Sequence, residues 1–407
     1  MKAVAPTPNP EPPSIMGVWE VLRAFFKLGL TSFGGPIAHL GYFRAEFVER
    51  RHWLDDRTYS DLVALCQFLP GPTSSQVGMA LGLKRAGWAG ALAAWIGFTL
   101  PSAVALILFA VGLTTWSGLA TSGALHGLKV VAVAVVAQAV WGMARSLCPD
   151  RWRAALALST AGWVLAFPGP LGQVGAMALG ACIGHWALKL EPVQPIPHHL
   201  GGVKPRIGMA CGVLYALLLI VLPALVMASP SLWLQAVAVV YQSGALVFGG
   251  GHVVLPLLQA GVVPPGWVSQ DTFLAGYSAA QAVPGPLFTF AAFLGAVMPP
   301  PLGGWTGGLA LLVVIFLPGF LLLVGMLPFW EWMRTYDPMR RAMAGVNAAV
   351  VGVLGAAWIH PIGTSALHTP TDLGLAIIAF GLLMWARLSP VWVVAMAAAA
   401  GWALAMA

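Results

Sequence analysis

The sequence is poor in charge. Only 8% of its 407 residues are Asp, Glu, Lys or Arg, whereas 59% are hydrophobic. A soluble globular domain carries about 25% charged residues, so this deficit excludes that class and indicates a polytopic membrane protein. Apolar runs such as 89–111 and 124–144 approach or reach the roughly 20 residues that a helix needs to cross a bilayer. They do not alternate with polar residues, so an all-α fold is predicted.

Motifs for metal binding, nucleotide binding and covalent chemistry are also missing. The sequence contains no HExxH, Walker loop, nucleophile elbow or CxxC. We therefore expect no metal site, no cofactor and no enzymatic activity, and we do not expect a pump driven by ATP. The 20 Lys and Arg outnumber the 13 Asp and Glu, which in a membrane protein is a topology signal rather than a sign of nucleic-acid binding. The four cysteines lie far apart and are expected to pack as small apolar residues: Cys66, Cys148, Cys182 and Cys211.

Several short motifs occur twice in the same order, at an offset that drifts only from 214 to 218 residues. Such a series predicts two homologous repeats. The main matches are Phe33-Gly34-Gly35 with Phe248-Gly249-Gly250, Gln67 with Gln281, Pro70-Gly71-Pro72 with Pro284-Gly285-Pro286, and Leu100-Pro101 with Leu317-Pro318. The predicted organisation is a disordered tail (1–14), a first repeat (15–190), a Pro-rich linker (191–206) and a second repeat (207–407).

Positive charge is placed oppositely in the two repeats. Segment 41–57 contains four arginines, whereas its counterpart 256–271 contains no Lys or Arg. Further along, segment 112–122 is uncharged, while its counterpart carries Arg334, Arg340 and Arg341. Cytoplasmic loops hold the excess of Lys and Arg, so the repeats are predicted to have inverted topologies.

The Pro-Gly-Pro motifs interrupt segments that are too short to span the membrane. Only 26 residues, 58–83, separate two segments that both read as cytoplasmic, and arms of about 12 residues extend only about 18 Å each. A re-entrant hairpin with its tip at mid-depth is predicted. The breaks at 33–36, 248–251 and 284–286 are interpreted in the same way.

Helices that begin at such breaks direct their N-terminal N–H groups into the membrane centre, which favours an anion. Plain kinks and glycine packing without a ligand are the alternative. Lys129 could balance an anion, or its side chain could extend to the membrane surface. The candidate substrate-binding residues are Gly34, Gly35, Gln67, Pro70, Gly71, Pro72, Thr73, Ser74, Gly249, Gly250, Gln281, Pro284, Gly285, Pro286, Thr289 and Lys129.

Four further residues are candidates for proton coupling or gating. His39 and His252 follow the two Gly-rich breaks, and histidine changes charge near physiological pH. A histidine that is simply hydrogen-bonded within the protein is the alternative. Arg44 and Glu46 are expected to belong to a cytoplasmic ion-pair cluster, either as a gate or as a solvated loop that sets the topology.

The stretch FGGPIAHLGYFRAEFVERRHWL, the downstream QFLPGP, and their echoes FGGGHVVLPLL and QAVPGP resemble the chromate transporters of the ChrA type, in the long two-domain form of that family. The resemblance implies a bacterial inner-membrane protein that exports chromate, is coupled to the proton-motive force and confers chromate resistance. The residues alone predict only an anion transporter in the lipid bilayer. Sulfate or another oxyanion as substrate, an uncoupled anion channel and a homodimeric state therefore stay open.

Overall fold

The computed structural model describes residues 15–115, 123–190, 203–229 and 231–406. All regular elements in these ranges are helices, so the all-α prediction is confirmed. The predicted tail 1–14 and most of the predicted linker 191–206 lie outside the described residues. The α-helices are α1 (Ile15–Thr31), α2 (Gly35–Phe43), α3 (Asp56–Phe68), α4 (Thr73–Thr115), α5 (Gly123–Leu147), α6 (Arg151–Ala166), α7 (Pro170–Ala187), α8 (Pro205–Ala228), α9 (Leu232–Ala245), α10 (Val254–Val262), α11 (Gln270–Ala282), α12 (Phe290–Val297), α13 (Gly304–Met326), α14 (Trp330–Thr335), α15 (Asp337–Ala357), α16 (Thr364–Ala366), α17 (Pro370–Met384) and α18 (Pro390–Met406). Short 3₁₀ turns (Gly251–Val253, Leu287–Thr289, Leu327–Phe329) and π-helical turns (Arg44–Arg50, Trp358–Gly363) complete the set.

The two repeats contain matching helices. Helix α3 corresponds to α11, and both have 13 residues. Helices α5, α6 and α7 correspond in order to α15, α17 and α18, and α1 corresponds to α9. Helix α8 lies between the two repeats, and none of the described helices of the first repeat corresponds to it. Its 24 residues are apolar enough to cross the membrane once, and one additional crossing between two equal repeats reverses the orientation of the second.

The chain leaves the helical conformation at all four predicted breaks. Gly34, Gly71, Gly249 and Gly285 have φ values of 97°, 123°, 73° and 103°. This region is open to glycine and strained for other residues. Pro36 then opens α2, where the missing N–H is not needed. Glycine and proline at these positions therefore produce the interruptions.

Residues 58–83 form a hairpin that returns to the face from which it enters. Helix α3 is about 20 Å long, too short to cross a bilayer, and Asp55 caps its start by accepting a hydrogen bond from Thr58 N. After the tip, α4 bends at Gly87, where φ is 64°. The guanidinium group of Arg85 lies 5.6 Å from the ring centre of Trp53. Because Trp53 precedes the hairpin and Arg85 follows it, both ends lie together, as a re-entrant hairpin requires.

Ionic contacts between the repeats join segments that the charge pattern assigns to the same face. Arg334 Nη1 lies 3.2 Å from Asp61 Oδ1, near the base of the first hairpin. Lys129 Nζ lies 3.0 Å from Asp271 Oδ2, and both residues adjoin arginine-free loops. The two repeats therefore face the membrane in opposite orientations, as predicted.

Close contacts of glycine hold the long helices together. A Cβ atom on Gly345 of α15 would overlap the carbonyl oxygen of Gly180 in α7, and Gly184 approaches the same point. Helices in lipid associate largely through such small residues, since burial of apolar surface contributes little there. The α7–α15 contact therefore depends on the absence of a side chain at position 345.

We expect Gly345→Ala to lower the thermal stability of the detergent-solubilised protein by about 1–3 kcal/mol, because the helices must separate to admit the methyl group. The matched control is Gly355→Ala on the same helix, where a Cβ atom meets nothing within 4 Å. This control should be neutral or slightly stabilising, since alanine favours a helix over glycine. Equal melting temperatures for the two variants would contradict the packing argument.

Candidate functional site

The Pro-Gly-Pro tip of each repeat is bonded to the Gly-rich break of the other. Gly71 N donates to Val247 O at 2.7 Å, and Gly285 N donates to Ser32 O at 3.0 Å. Ser32 and Val247 are equivalent residues, each directly preceding a Phe-Gly-Gly motif. A rotation that superimposes each repeat on the other would also superimpose the two hydrogen bonds. The repeats are therefore related by a pseudo-two-fold axis through the centre of the molecule.

A proline-containing helix of the opposite repeat packs against each tip. A Cβ atom on Gly71 would lie 3.1 Å from Gly319 Cα, and one on Gly285 would lie 2.9 Å from Ser102 Oγ. Gly319 and Ser102 directly follow the prolines inside α13 and α4. Each repeated Leu-Pro motif therefore lies beside the tip of the other repeat, as each Gly-rich break does.

The four breaks lie together at the centre, and a cleft opens between the first Gly-rich break and the second Pro-Gly-Pro tip. A Cβ atom on Gly251 would lie 3.7 Å from Pro36 Cγ, so the two Gly-rich breaks touch. The cleft is small, with a volume of about 20 Å³, and it is partly open. The first repeat contributes Gly34, Gly35 and Pro36 to its wall, and the second contributes His252, Gln281 and Gly285.

Neutral hydrogen-bonding groups provide the chemistry of this cleft. His252 Nδ1 lies 2.9 Å from the Tyr277 hydroxyl and 3.4 Å from Gln281 Nε2. The imidazole, phenol and amide side chains can each donate or accept at these contacts, and the tautomer of the ring decides which group donates. The residues that line the cleft include no Asp, Glu, Lys or Arg. Such a site can hold an anion by neutral donors and release it again.

Residues 19–185 and 234–402 match the family model described as chromate transporter, and together they make up more than half of the chain. The chain belongs to the chromate transporter family. The two matched regions are the two repeats, and α8 lies between them.

Full-length relatives of this chromate transporter family member carry the same description. The "Chromate transport protein" of Pseudomonas aeruginosa is 29% identical over 98% of this chain and 95% of its own length. The "Probable chromate transport protein" of Synechococcus elongatus is 27% identical over 94% of each chain. The "Chromate transport protein" of Cupriavidus metallidurans is 26% identical over 94% of this chain and 92% of its own. No solved structure matches the chain.

The structure brings some of the predicted substrate-binding residues to the cleft and places others elsewhere. Gly34, Gly35, Gln281 and Gly285 line it. Gln67, the counterpart of Gln281, is instead exposed on α3. Pro284 and Pro286 flank the second tip, and Thr289 Oγ1 is buried and donates to Pro286 O at 2.8 Å. The remaining candidates meet at the first tip, away from the cleft: Pro70, Gly71, Pro72, Thr73 and Ser74, all buried, with Gly249 and Gly250 of the facing break.

Lys129 is engaged by a carboxylate and does not line the cleft. Its ammonium group bonds to Asp271 at the start of α11, and its side chain is 13% exposed. The prediction that Lys129 balances an anion is therefore not supported by its position. The sequence could not reveal this ion pair, because its partner lies in the other repeat.

His39 and His252 have different surroundings. The side chain of His39 is buried, with Nδ1 3.3 Å from Ser74 Oγ and Nε2 3.2 Å from Ser32 O. Ser32 O also accepts the hydrogen bond from Gly285 N. His39 therefore contacts the residue that binds the second tip, but it does not line the cleft. His252 lines the cleft itself, and of the two it is the one placed to meet a ligand.

Arg44 and Glu46 belong to an ion-pair network at the base of the first hairpin, but they do not pair with each other. Arg44 pairs with Glu49 and with Asp56, the latter at 2.6 Å. Glu46 accepts from Arg50 and Arg51. Burial opposes ionisation of Glu46, yet hydrogen bonds from Arg51 and Arg50 outweigh it and hold its pKa below the usual value. The network lies outside the cleft and fits the topology-setting alternative.

Sequence reasoning missed three contributors to the central assembly. Tyr277 orients His252, and Ser102 and Gly319 support the tips. The repeated Leu-Pro motifs at 100–101 and 317–318 were a usable signal, because each supporting residue directly follows one of them. Tyr277 has no such signal, since it lies four residues before Gln281 in an ordinary helix.

Proposed function

We propose that the protein is a secondary active transporter that exports chromate across the bacterial inner membrane, is coupled to the proton-motive force and confers chromate resistance. One observation carries the proposal: helix breaks from two inverted repeats bond to each other reciprocally, and one of the two contacts borders a cleft. Broken helices and a central site between inverted repeats are the plan of alternating-access transporters. The names of the relatives supply chromate as the substrate.

In this mechanism the tetrahedral dianion enters the cleft between the first Gly-rich break and the second Pro-Gly-Pro tip. Gln281 and His252 line the cleft and carry the side-chain N–H groups that the anion would use. Rocking of one repeat against the other then exposes the cleft to either face. His252 is the candidate for proton coupling, because protonation of its ring would strengthen anion binding and deprotonation would favour release.

Sulfate is the second candidate substrate, and the donor chemistry of the cleft favours it equally. Chromate and sulfate are both tetrahedral dianions, and neutral donors recognise charge and shape rather than the central atom. Other contacts, or the width of the cleft during transport, must provide any preference between them.

The test is accumulation of radiolabelled chromate in everted membrane vesicles with and without an imposed proton gradient. Gradient-dependent accumulation that an uncoupler abolishes is expected, and vesicles without the protein provide the background. Accumulation of sulfate alone would change the substrate. Flux that ignores the gradient would indicate an uncoupled channel, and no flux of either anion would refute the proposal.

A further inference from the structure

The two crossings of helix breaks are alike in backbone but differ in what fills them. We use the name cleft crossing for the one between Gly34–Pro36 and Pro284–Pro286, and filled crossing for the one between Pro70–Pro72 and Phe248–Gly250. Each contains a Gly-Pro tip that donates a hydrogen bond to the opposite repeat. The cleft crossing borders the small, partly open cleft described above. In the filled crossing, every residue from Pro70 to Gln76 is buried.

A glutamine side chain occupies the filled crossing. Gln76 is 0% exposed, and its Nε2 donates to Pro70 O and to Gly319 O, both at 3.0 Å. A Cβ atom on Gly71 would lie 3.0 Å from the same nitrogen. The amide therefore connects the first tip to the backbone of α13 at Gly319 and occupies the space beside the tip.

The cleft crossing has no equivalent amide. An offset of 214 places Phe290 at the position of Gln76. The Phe290 ring packs against Phe273 and Tyr277, with centroid distances of 5.0 and 5.9 Å, and it is fully buried among them. Phe290 packs in the core of its own repeat and has no polar group. It therefore gives the second tip no side-chain hydrogen bond like the one that Gln76 gives the first tip.

The filled crossing also leaves no N–H group of the Gln76 side chain free for an oxyanion. Both hydrogen bonds of Gln76 Nε2 go to backbone carbonyl groups, and its buried Oε1 can only accept. In the cleft crossing, by contrast, the side chains of Gln281 and His252 line the open space.

We propose that each chain binds one oxyanion, in the cleft crossing, and that Gln76 permanently holds the corresponding place in the filled crossing. This inference rests on the proposed function and assigns its site to one side of the pseudo-two-fold axis. The first hairpin is accordingly the fixed element, since Gln76 fastens its tip to α13. The second hairpin carries the ligand-binding tip.

The test is equilibrium binding of radiolabelled chromate to the purified full-length protein in lipid nanodiscs. The wild type should bind one anion per chain. Gln281→Leu should weaken binding by roughly tenfold or more, as expected for loss of a hydrogen bond to a charged ligand. Gln76→Leu should leave the affinity within about threefold, although its melting temperature should fall because two buried carbonyl groups lose their donor.

Ser75→Ala provides a second variant of the filled crossing for the case that Gln76→Leu does not fold. Ser75 lies in the filled crossing, and its buried hydroxyl group has no hydrogen-bond partner in the described structure, so its loss should affect neither folding nor affinity. Two bound anions per chain would overturn the single site. Weaker binding in Ser75→Ala or Gln76→Leu, with unchanged binding in Gln281→Leu, would overturn it as well. Neither result would contradict anion transport itself. A wild type that binds neither chromate nor sulfate would refute the proposed function itself.

Discussion

Replacement of Gly285 by leucine is expected to abolish chromate accumulation in everted vesicles, in protein that still reaches the membrane. Gly285 has a φ of 103°, which is strained for any residue with a side chain. A Cβ atom there would also lie 2.9 Å from Ser102 Oγ and 3.2 Å from Phe98 O. The larger side chain must push the tip away from α4 or fill the cleft, and either displacement breaks the bond from Gly285 N to Ser32 O. Initial rates normalised to the amount of protein would measure the effect.

A matched glycine separates backbone strain from damage to the crossing. Gly169, between α6 and α7, has a similar φ of 107°, but a Cβ atom there meets nothing within 4 Å. Gly169→Leu should therefore cost some stability and retain transport. Gly71→Leu should behave like Gly285→Leu, because its Cβ atom would lie 3.1 Å from Gly319 Cα. Equal transport by the Gly285 and Gly169 variants would show that the crossing is not on the transport path.

Asp61→Asn is expected to lower the free energy of unfolding by about 3 kcal/mol, as found when one member of a buried ion pair is removed. The side chains of Asp61 and Arg334 are only 17% and 8% exposed, and their contact joins the first hairpin to the second repeat. Asparagine keeps the shape but removes the negative charge beside a guanidinium group that water hardly reaches. Thermal unfolding in detergent, together with the yield of folded protein, would measure the loss.

The other ionic contact between the repeats provides the control. Asp271, which faces Lys129, is 55% exposed, and exposed pairs contribute only about 0–1 kcal/mol. Asp271→Asn should therefore change the melting temperature little. A double variant with Asp61→Arg and Arg334→Asp should recover part of the stability that Asp61→Asn loses. If both asparagine variants had the same effect, burial would not be what gives the Asp61 contact its strength.

The sequence was sufficient to predict the repeats, their inversion and the four helix breaks, because each depends on local signals. Short clusters of glycine, or of glycine and proline, mark the four breaks, and arginine marks the cytoplasmic loops. The site was harder to predict, since it is made by contacts between residues that are far apart in the chain. Gln67 and Gln281 are equivalent in sequence, yet only Gln281 reaches the cleft. Their difference becomes visible only when both repeats pack together.

Ionic partners were unpredictable for the same reason. Arg44 and Glu46 are two residues apart, but each finds its partners on other turns of the hairpin base. Lys129 meets a carboxylate 142 positions away. A charge pattern identifies the face of the membrane on which a residue lies, whereas the folded chain decides which opposite charge it meets.

The reciprocal hydrogen bonds at the centre also determine whether the two repeats can function when they are expressed as separate chains. Gly71 of one repeat requires Val247 of the other, and Gly285 requires Ser32, so neither repeat contains a whole crossing. A half-length chain alone would present one tip and one Gly-rich break without their partners. Two half-length chains inserted in opposite directions would regenerate both crossings, because no covalent link passes through them. Complementation by separately expressed halves is thus built into the architecture, whereas deletion of either half removes both crossings at once.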